Sequence, residues 1–138
     1  MEEIQLIRII TSGKRKGAVA RAILTEGNGE VTINKKNYQN LQPFDRLKIE
    51  EPLRISENIL GKKNFKVTIN IHGGGQKGQI ESARLALSRA ILKFTNSKEL
   101  EKAFSDYDWS LLVADVRRKE TYKPGDSKAR RKRQKSFR

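Results

Sequence analysis

The sequence contains no cysteine and one histidine, His72. Without cysteine there can be no disulfide, thiol nucleophile or thiolate metal site. Without a second histidine, we find no metal-binding group and no histidine-based catalytic triad. The carboxylates occur as scattered pairs such as Glu50-Glu51 and Glu99-Glu101, which is typical of solvated helix faces. We therefore expect neither an enzyme nor a cofactor.

No apolar run approaches the roughly 20 residues of a membrane-spanning helix, and no basic amphipathic helix presents an apolar face to a membrane surface. The N-terminal residues MEEIQLIRII lack the basic region and cleavage site of a signal peptide. We therefore expect a cytoplasmic protein with no membrane partner. Aromatic residues are also scarce among the cations. Only Tyr122 and Phe137 lie there, so a platform for stacking single-stranded bases is poorly supported.

Positive charge is abundant and unevenly placed. The formal net charge is +14, and residues 117–138 contribute +9 of it from eleven basic and two acidic residues. The last eleven residues, KARRKRQKSFR, hold seven Lys or Arg and no acid. Such density keeps a segment extended by repulsion, and binding to nucleic acid releases condensed counterions. We predict a globular domain over 1–116 and an extended basic C-terminal tail over 117–138.

Hydrophobic patterns in the first half of the chain favour strands. Asn28-Gly29 is typical of a hairpin turn, so we predict that the strands on either side of it pair directly. Pro43 and Pro52 predict a short helix that starts at the first proline and ends before the second. In chain order, the pattern predicts a strand over 4–10, a basic loop over 12–17, a strand over 18–24, a strand over 30–34 and the short helix over 44–51.

The second half has the clearest periodicities. Residues 65–71 alternate with period two, and residues 76–95 carry an apolar stripe at three- and four-residue spacing. Asn96-Ser97 predicts the start of another helix from Lys98. A short apolar run at 111–117 leads into the tail. These groupings predict an α+β fold, a two-layer sandwich with a mainly antiparallel four-stranded sheet and helices on one face.

Two further motifs suggest contact with nucleic acid. GGGQKGQ (73–79) joins a strand to a helix, and Lys77 lies beside the free N–H groups of the helix start, where an RNA phosphate can bind. It lacks the spacing of a Walker loop and a following βαβ unit, and a tight packing turn is the simpler alternative. Lys14, Arg15 and Lys16 form a second cationic cluster, for which solubility alone is the alternative. We expect contacts mainly to phosphate and shape.

Several segments together resemble a known family, the ninth protein of the small ribosomal subunit. They are, in chain order, GKRKGAVARAIL, GNGEVTIN, FDRLKIEEPL, INIHGGGQKGQIESARLALSRAIL, LLVADVRR and the terminal QKSFR. The resemblance covers nearly the whole chain. The ending QKSFR is similar to the archaeal and eukaryotic cytosolic branch, and the body looks more archaeal. Family members usually carry a basic, glycine-rich stretch where this chain has Glu120, Thr121 and Asp126.

The resemblance implies an α+β domain like the C-terminal half of the fifth small-subunit protein. It further implies a place in the head of the small subunit, bound to ribosomal RNA and neighbouring head proteins, with the tail directed toward the peptidyl-site tRNA. The residues expected at the tRNA are Lys135, Ser136, Phe137 and Arg138. Those expected at ribosomal RNA are Lys14, Arg15, Lys16, Arg21, Gly73, Gly74, Gly75, Lys77, Arg117, Arg118, Lys119, Lys123, Lys128, Arg130, Arg131, Lys132 and Arg133.

Two alternatives stay open from the residues alone. A free RNA-binding protein or RNA chaperone acting outside any particle would carry the same charge. An enzyme of the same fold group, such as a kinase that binds ATP at a glycine-rich turn, needs acidic groups beside the glycines, and HGGGQKGQ has none. We expect no small-molecule substrate.

Overall fold

The computed structural model describes residues 7–62 and 64–136. Five strands form one sheet, and three α-helices and two short 3₁₀ turns complete the fold. The strands are β1 (Ile9–Arg15), β2 (Ala18–Glu26), β3 (Val31–Ile33), β4 (Lys36–Asn37) and β5 (Phe65–His72). The helices are α1 (Pro43–Leu60), α2 (Gln76–Thr95) and α3 (Lys98–Tyr107), and the 3₁₀ turns are Tyr38–Asn40 and Trp109–Leu111.

The sheet has the order β1-β2-β5-β3-β4. Three neighbouring pairs are antiparallel, whereas β3 and β5 are parallel. The prediction of an α+β fold is confirmed. The predicted sheet, four-stranded and mainly antiparallel, is corrected to a mixed sheet of five strands, because the short strand β4 extends the edge and the connection through α1 returns β5 parallel to β3.

The predicted hairpin at Asn28-Gly29 is wrong, because β5 lies between β2 and β3. Instead of folding β3 back onto β2, the loop follows the start of β5. The Gly27 amide donates to the Asn64 carbonyl and the Gly29 amide to the Phe65 carbonyl. Gly29 does adopt a positive φ of 89°. Asn28 is not among the residues with positive φ, so the turn predicted there is present only at Gly29. The predicted partner strand is wrong because β5, which buries alternate side chains, occupies the centre of the sheet.

Two other hairpins are present. Lys16-Gly17 joins β1 to β2, and Asn34-Lys35 joins β3 to β4 with positive φ at both turn residues. The predicted basic loop over 12–17 is therefore wrong in part, because Ser12–Arg15 pair with β2 and only the last two residues turn. The strand predicted over 4–10 starts at Ile9 among the described residues. Its first three positions lie outside them.

Helix α1 passes through Pro52 and ends at Leu60, where Gly61 adopts a left-handed φ of 78°. The helix predicted to end before Pro52 is therefore too short. An internal proline loses one backbone hydrogen bond and crowds the preceding turn. Here Ile49, Pro52 and Leu53 are all buried in the core, and that burial offsets the loss.

The helices α2 and α3 agree with the predictions. Helix α2 begins and ends as its periodicity predicted, and Ser97 caps α3 by accepting a hydrogen bond from the Leu100 amide at 3.3 Å. Strand β1 approaches α2 closely. Thr11 donates to the Ala86 carbonyl at 2.8 Å, and a Cβ on Gly13 would lie 2.8 Å from the Ala86 nitrogen. Glycine is therefore required there by the helix itself.

The core lies between one face of the sheet and the helices. Strands β2 and β5 bury alternate side chains, Ala20, Ala22 and Leu24 from β2 and Val67 and Ile69 from β5. The intervening side chains of both strands lie on the opposite face and are exposed or half-buried. The sheet therefore has a closed face, covered by helices, and an open face.

Candidate nucleic-acid interface

The tail leaves the domain at a fixed root. The Arg89 side chain on α2 donates from Nε to the Leu112 carbonyl and from Nη1 to the Ser12 carbonyl, both at 3.0 Å. Asp115 then binds Arg15 of β1 at 3.4 Å and Arg117 at 2.7 Å. Hydrogen bonds from the Arg117 side chain and backbone hold the pKa of Asp115 well below its usual range. Three arginines therefore set where the tail starts.

The middle of the tail folds back on itself. Lys123–Asp126 form a turn in which Gly125 has a positive φ of 81°. Glu120 binds Lys123 at 2.6 Å and Arg130 at 2.8 Å, and these hydrogen bonds lower the pKa of Glu120. Arg133 donates its amide to Asp126 and its Nε to the Gly125 carbonyl. Glu120 therefore binds two tail cations, and Asp126 accepts the Arg133 backbone amide, so the segment turns back on itself between residues 120 and 133. The extended tail over 117–138 otherwise stays a prediction.

The end of the tail is exposed. Arg131, Lys132 and Lys135 make no ion pair with any residue in the described ranges, and Ser136 is exposed beside them. Arg118 and Lys119 are also exposed, with the Lys119 ammonium 4.7 Å from the centre of the Tyr122 ring. Phe137 and Arg138, both predicted near tRNA, lie outside the described residues. The exposed cations here are available to an external anion.

The three cations of the predicted cluster Lys14–Lys16 separate in the fold. Lys14 is exposed at the end of β1, on the open face of the sheet. Arg15 faces the helices, binds Glu81 of α2 at 2.6 Å and is 14% exposed. Lys16 occupies the turn with a φ of 53°. These side chains do not act as one patch, and Arg15 serves the interior and the root of the tail.

The glycine turn is packed against the β1–β2 turn. Gly73 and Gly74 have positive φ, and a Cβ on Gly74 would lie 2.7 Å from the Ala18 nitrogen. Lys77 does not lie free beside the helix start. Its ammonium binds Asp45 of α1 at 3.1 Å, and Gln76 binds the same carboxylate at 3.0 Å. The glycines therefore permit close packing, and the RNA contacts predicted for Gly73, Gly74, Gly75 and Lys77 stay predictions.

Sequence reasoning missed Arg89, Asp115 and Glu81 as the groups that fix the tail root. No signal in the linear sequence could have found them, because the contacts join residues 23 to 100 positions apart. Arg8 was missed as well. It lines a shallow depression with Ile10, Ser12, Arg21 and Ile23. The period-two alternation of β1 and β2 could have placed it on the same face as Arg21.

The described part of the chain contains no group of three or more His, Asp or Glu residues able to hold a metal ion. None of its helices is both long enough and apolar enough to cross a bilayer.

Comparison with known proteins gives a consistent result. The sequence model of the family Ribosomal protein S9/S16 matches residues 13–138. The chain is 44% identical over 131 residues to the small ribosomal subunit protein uS9 of Methanococcus vannielii, covering 93% of this chain and 96% of that protein. It is 46% identical over 132 residues to the proteins of that name from Thermoplasma volcanium and Thermoplasma acidophilum, covering 94% of this chain and 98% and 100% of theirs.

Proposed function

Because the chain belongs to the ribosomal protein S9/S16 family, we propose that it binds ribosomal RNA in the head of the small subunit and directs its C-terminal tail toward the peptidyl-site tRNA. The resemblance found in the sequence is confirmed, as is its archaeal character. The protein is a structural component of the small subunit in the cytoplasm, and it is not an enzyme.

The uneven distribution of charge carries this proposal. The globular domain is mildly basic, whereas the last eleven residues hold seven cations and no acid. A segment of that composition loses conformational entropy when it becomes ordered, so many phosphate contacts must compensate. The root formed by Arg89, Arg15 and Asp115 supports a directed tail, since it starts the segment from one position on the domain.

Deleting Lys128–Arg138 tests the RNA-binding part of the proposal. Neutralised phosphates contribute about 0.7–0.9 each to the slope of log affinity against log salt, so losing seven cations should flatten the slope by about 5 to 6. Binding of the full chain and the truncated chain to archaeal small-subunit ribosomal RNA would be measured from 50 to 300 mM salt, a range within which such slopes are resolved. An unchanged slope would remove the tail from the RNA contact.

The tRNA part needs a separate measurement. In reconstituted small subunits, we expect Arg138→Ala to weaken retention of peptidyl-site tRNA more than it affects assembly. Lys132→Ala is the matched control, because it removes the same charge from the middle of the tail. Equal tRNA retention in the two variants would leave the tail end with an anchoring role only.

The alternative of a free RNA chaperone predicts an isolated protein that binds many RNAs. Sedimentation through high-salt sucrose gradients distinguishes the two functions. A ribosomal constituent stays with the small subunit, whereas a free chaperone remains at the top of the gradient.

A further inference from the structure

The open face of the sheet carries exposed cations on adjacent strands. Outward side chains of β1, β2 and β5 include Lys14, Arg21 and Lys66, and the register aligns Ser12, Arg21 and Asn70 across three strands. Lys14 is aligned with Val19 and His72 in the next row. Directly opposite and diagonal neighbours lie within about 5 to 8 Å. The outward positions of these three strands hold no acidic side chain.

Of these cations, Lys66 binds Glu30 at 3.6 Å, whereas Lys14 and Arg21, together with Arg8, differ from the paired arginines of the domain. Five arginines between residues 7 and 112 make ion pairs or hydrogen bonds, namely Arg15, Arg46, Arg54, Arg84 and Arg89. Among the residues the structure describes, Arg8 and Arg21 make neither, and Lys14 makes no ion pair. Since no acid among the described residues neutralises Arg8, Lys14 or Arg21, an external polyanion is the complementary partner.

The centre of this face is aliphatic. Ile10 is 52% exposed and pairs across the sheet with the half-buried Ile23. With Arg8, Ser12 and Arg21 they line one shallow depression. No Phe, Tyr or Trp occupies an outward position of β1, β2 or β5, and the His72 ring lies at the end of β5, so a stacking platform for a run of unpaired bases is poorly supported. Cations around an aliphatic centre suit the phosphates and riboses of an RNA helix, which proteins recognise by shape and backbone.

We propose that the open face of β1, β2 and β5 docks a double-helical segment of ribosomal RNA. Arg8, Lys14 and Arg21 contact its phosphates, and Ile10 and Ile23 pack against its riboses. This inference rests on the proposed function and adds to it a second surface, separate from the tail, and the form of the RNA.

The absence of cysteine permits a direct test of location. Single cysteines replace Ser12 on the open face and Ser105 on α3, both exposed. An iron chelate tethered to each cysteine generates hydroxyl radicals in reconstituted small subunits. We expect the Ser12→Cys protein to cut both strands of one ribosomal RNA helix, and the Ser105→Cys protein to leave that helix uncut. Absence of cuts from Ser12→Cys, or cuts confined to unpaired loops, would overturn the proposal.

A crosslinker on the same cysteine identifies any other occupant. Attachment of Ser12→Cys to a neighbouring protein, with no RNA product, would show that this face docks a protein and would overturn the proposal.

Charge removal gives a second, independent test on the full chain. Lys14→Gln with Arg21→Gln should flatten the salt slope for ribosomal RNA by about 1.4 to 1.8, at about 0.7–0.9 per lost phosphate contact. Lys93→Gln with Lys102→Gln is the matched control, because both lysines are exposed on α2 and α3 away from this face. The control slope should not change. Equal slopes for both double variants would overturn the face assignment.

The tests separate this inference from the proposed function. If the salt slope of RNA binding depends on the tail but not on Lys14 and Arg21, the open-face proposal is wrong and the proposed function stands. If the unmodified chain shows no salt-dependent binding to ribosomal RNA, the proposed function itself is wrong.

Discussion

Arg84 of the globular domain and Arg131 of the tail have different surroundings, although composition counts them alike. Arg84 on α2 is 13% exposed and binds Glu51 of α1 and Asp108 after α3. Arg131 in the tail is exposed and binds no acid among the described residues. The first side chain joins three segments of the domain, whereas the second is open to an external anion. An arginine that is buried beside an acid joins parts of the domain, whereas an exposed arginine without an acid nearby can bind an external anion.

The root and the middle of the tail lie between these extremes. Arg117 is 80% exposed yet binds Asp115, and Arg130 is 87% exposed yet binds Glu120. Exposed pairs of this kind contribute little to stability, because water and salt screen them. They can hold the free tail in one shape without preventing phosphates from replacing the carboxylates. Charge density alone therefore overstates how many tail cations start out unpaired.

Removing the buried arginine should give the largest change. Arg84→Met should lower the free energy of unfolding by about 3 kcal/mol, the lower end for a broken buried pair, because both of its acids are partly exposed. Arg54→Met is the control. Arg54 is 70% exposed and pairs with Glu50 one turn away, so about 0.5 kcal/mol is expected. Urea unfolding measures both, and similar losses would contradict the distinction between buried and exposed arginines.

Substituting a buried acid and an exposed acid tests the same distinction between buried and exposed ion pairs. Asp45 is 1% exposed and accepts hydrogen bonds from Gln76 and Lys77, which join the starts of α1 and α2. Asp45→Asn should cost about 1 to 2 kcal/mol, since a charge-assisted hydrogen bond is lost. Asp106→Asn, on the exposed side of α3, should leave the free energy of unfolding nearly unchanged. If Asp45→Asn leaves the free energy of unfolding unchanged, Lys77 is not held by this carboxylate in solution.

The contact between Arg84 and Asp108 should also make the free energy of unfolding depend on pH, with a smaller effect than the substitutions above. Burial raises the pKa of Asp108, but hydrogen bonds from Ser110 and then the charge of Arg84 outweigh it, so the pKa lies below the ordinary 3.8. A carboxyl whose pKa is lower in the folded state than in the unfolded state stabilises the fold at pH values above its unfolded-state pKa. This stabilisation is lost as the pH falls through the folded-state pKa. The stability difference between the parent and Asp108→Asn should therefore be constant above about pH 5 and narrow below 3.8. Urea unfolding of both proteins from about pH 2.5 to about pH 7, which spans the titration of carboxyl groups, measures this difference. A difference that does not vary with pH would contradict the prediction.

The tail acids should give the smallest effect. Glu120→Gln releases Lys123 and Arg130, so affinity for ribosomal RNA at low salt should rise by up to about fivefold. Thr121→Gln is a matched control that changes the neighbouring residue without removing a charge. Equal affinities for the two variants would show that the Glu120 contacts do not hold back the free tail.

Much of the fold could be predicted wherever one periodicity ran long enough. Strand β5 and helix α2 were predicted closely, because alternation over eight residues and a stripe over twenty leave few other arrangements. The course of α1 through Pro52 could not be predicted, since local proline geometry argues against it and the burial that offsets it involves other helices. The same limit applies to Asn28-Gly29, where the residues indicate a turn but not the strand that follows beside it.

The candidate interface divides in the same way. The cationic tail is a local property of composition and is visible in the sequence. The separation of Lys14 from Arg15 follows from which side of β1 each occupies, and it required the strand boundaries. The pairing of Arg15 with Asp115 joins residues 100 positions apart, and only the tertiary fold brings them together.

The Arg89 side chain has a consequence for the protein before it reaches any partner. Strand β1 forms one edge of the sheet, and unpaired backbone groups on an edge can recruit a strand from another molecule. Arg89 occupies the Ser12 carbonyl on that edge, and the chain after Leu112 is held beside it. The opposite edge, β4, has two residues, one of them lysine. Both edges of the sheet are therefore poor templates for pairing with a strand of another molecule.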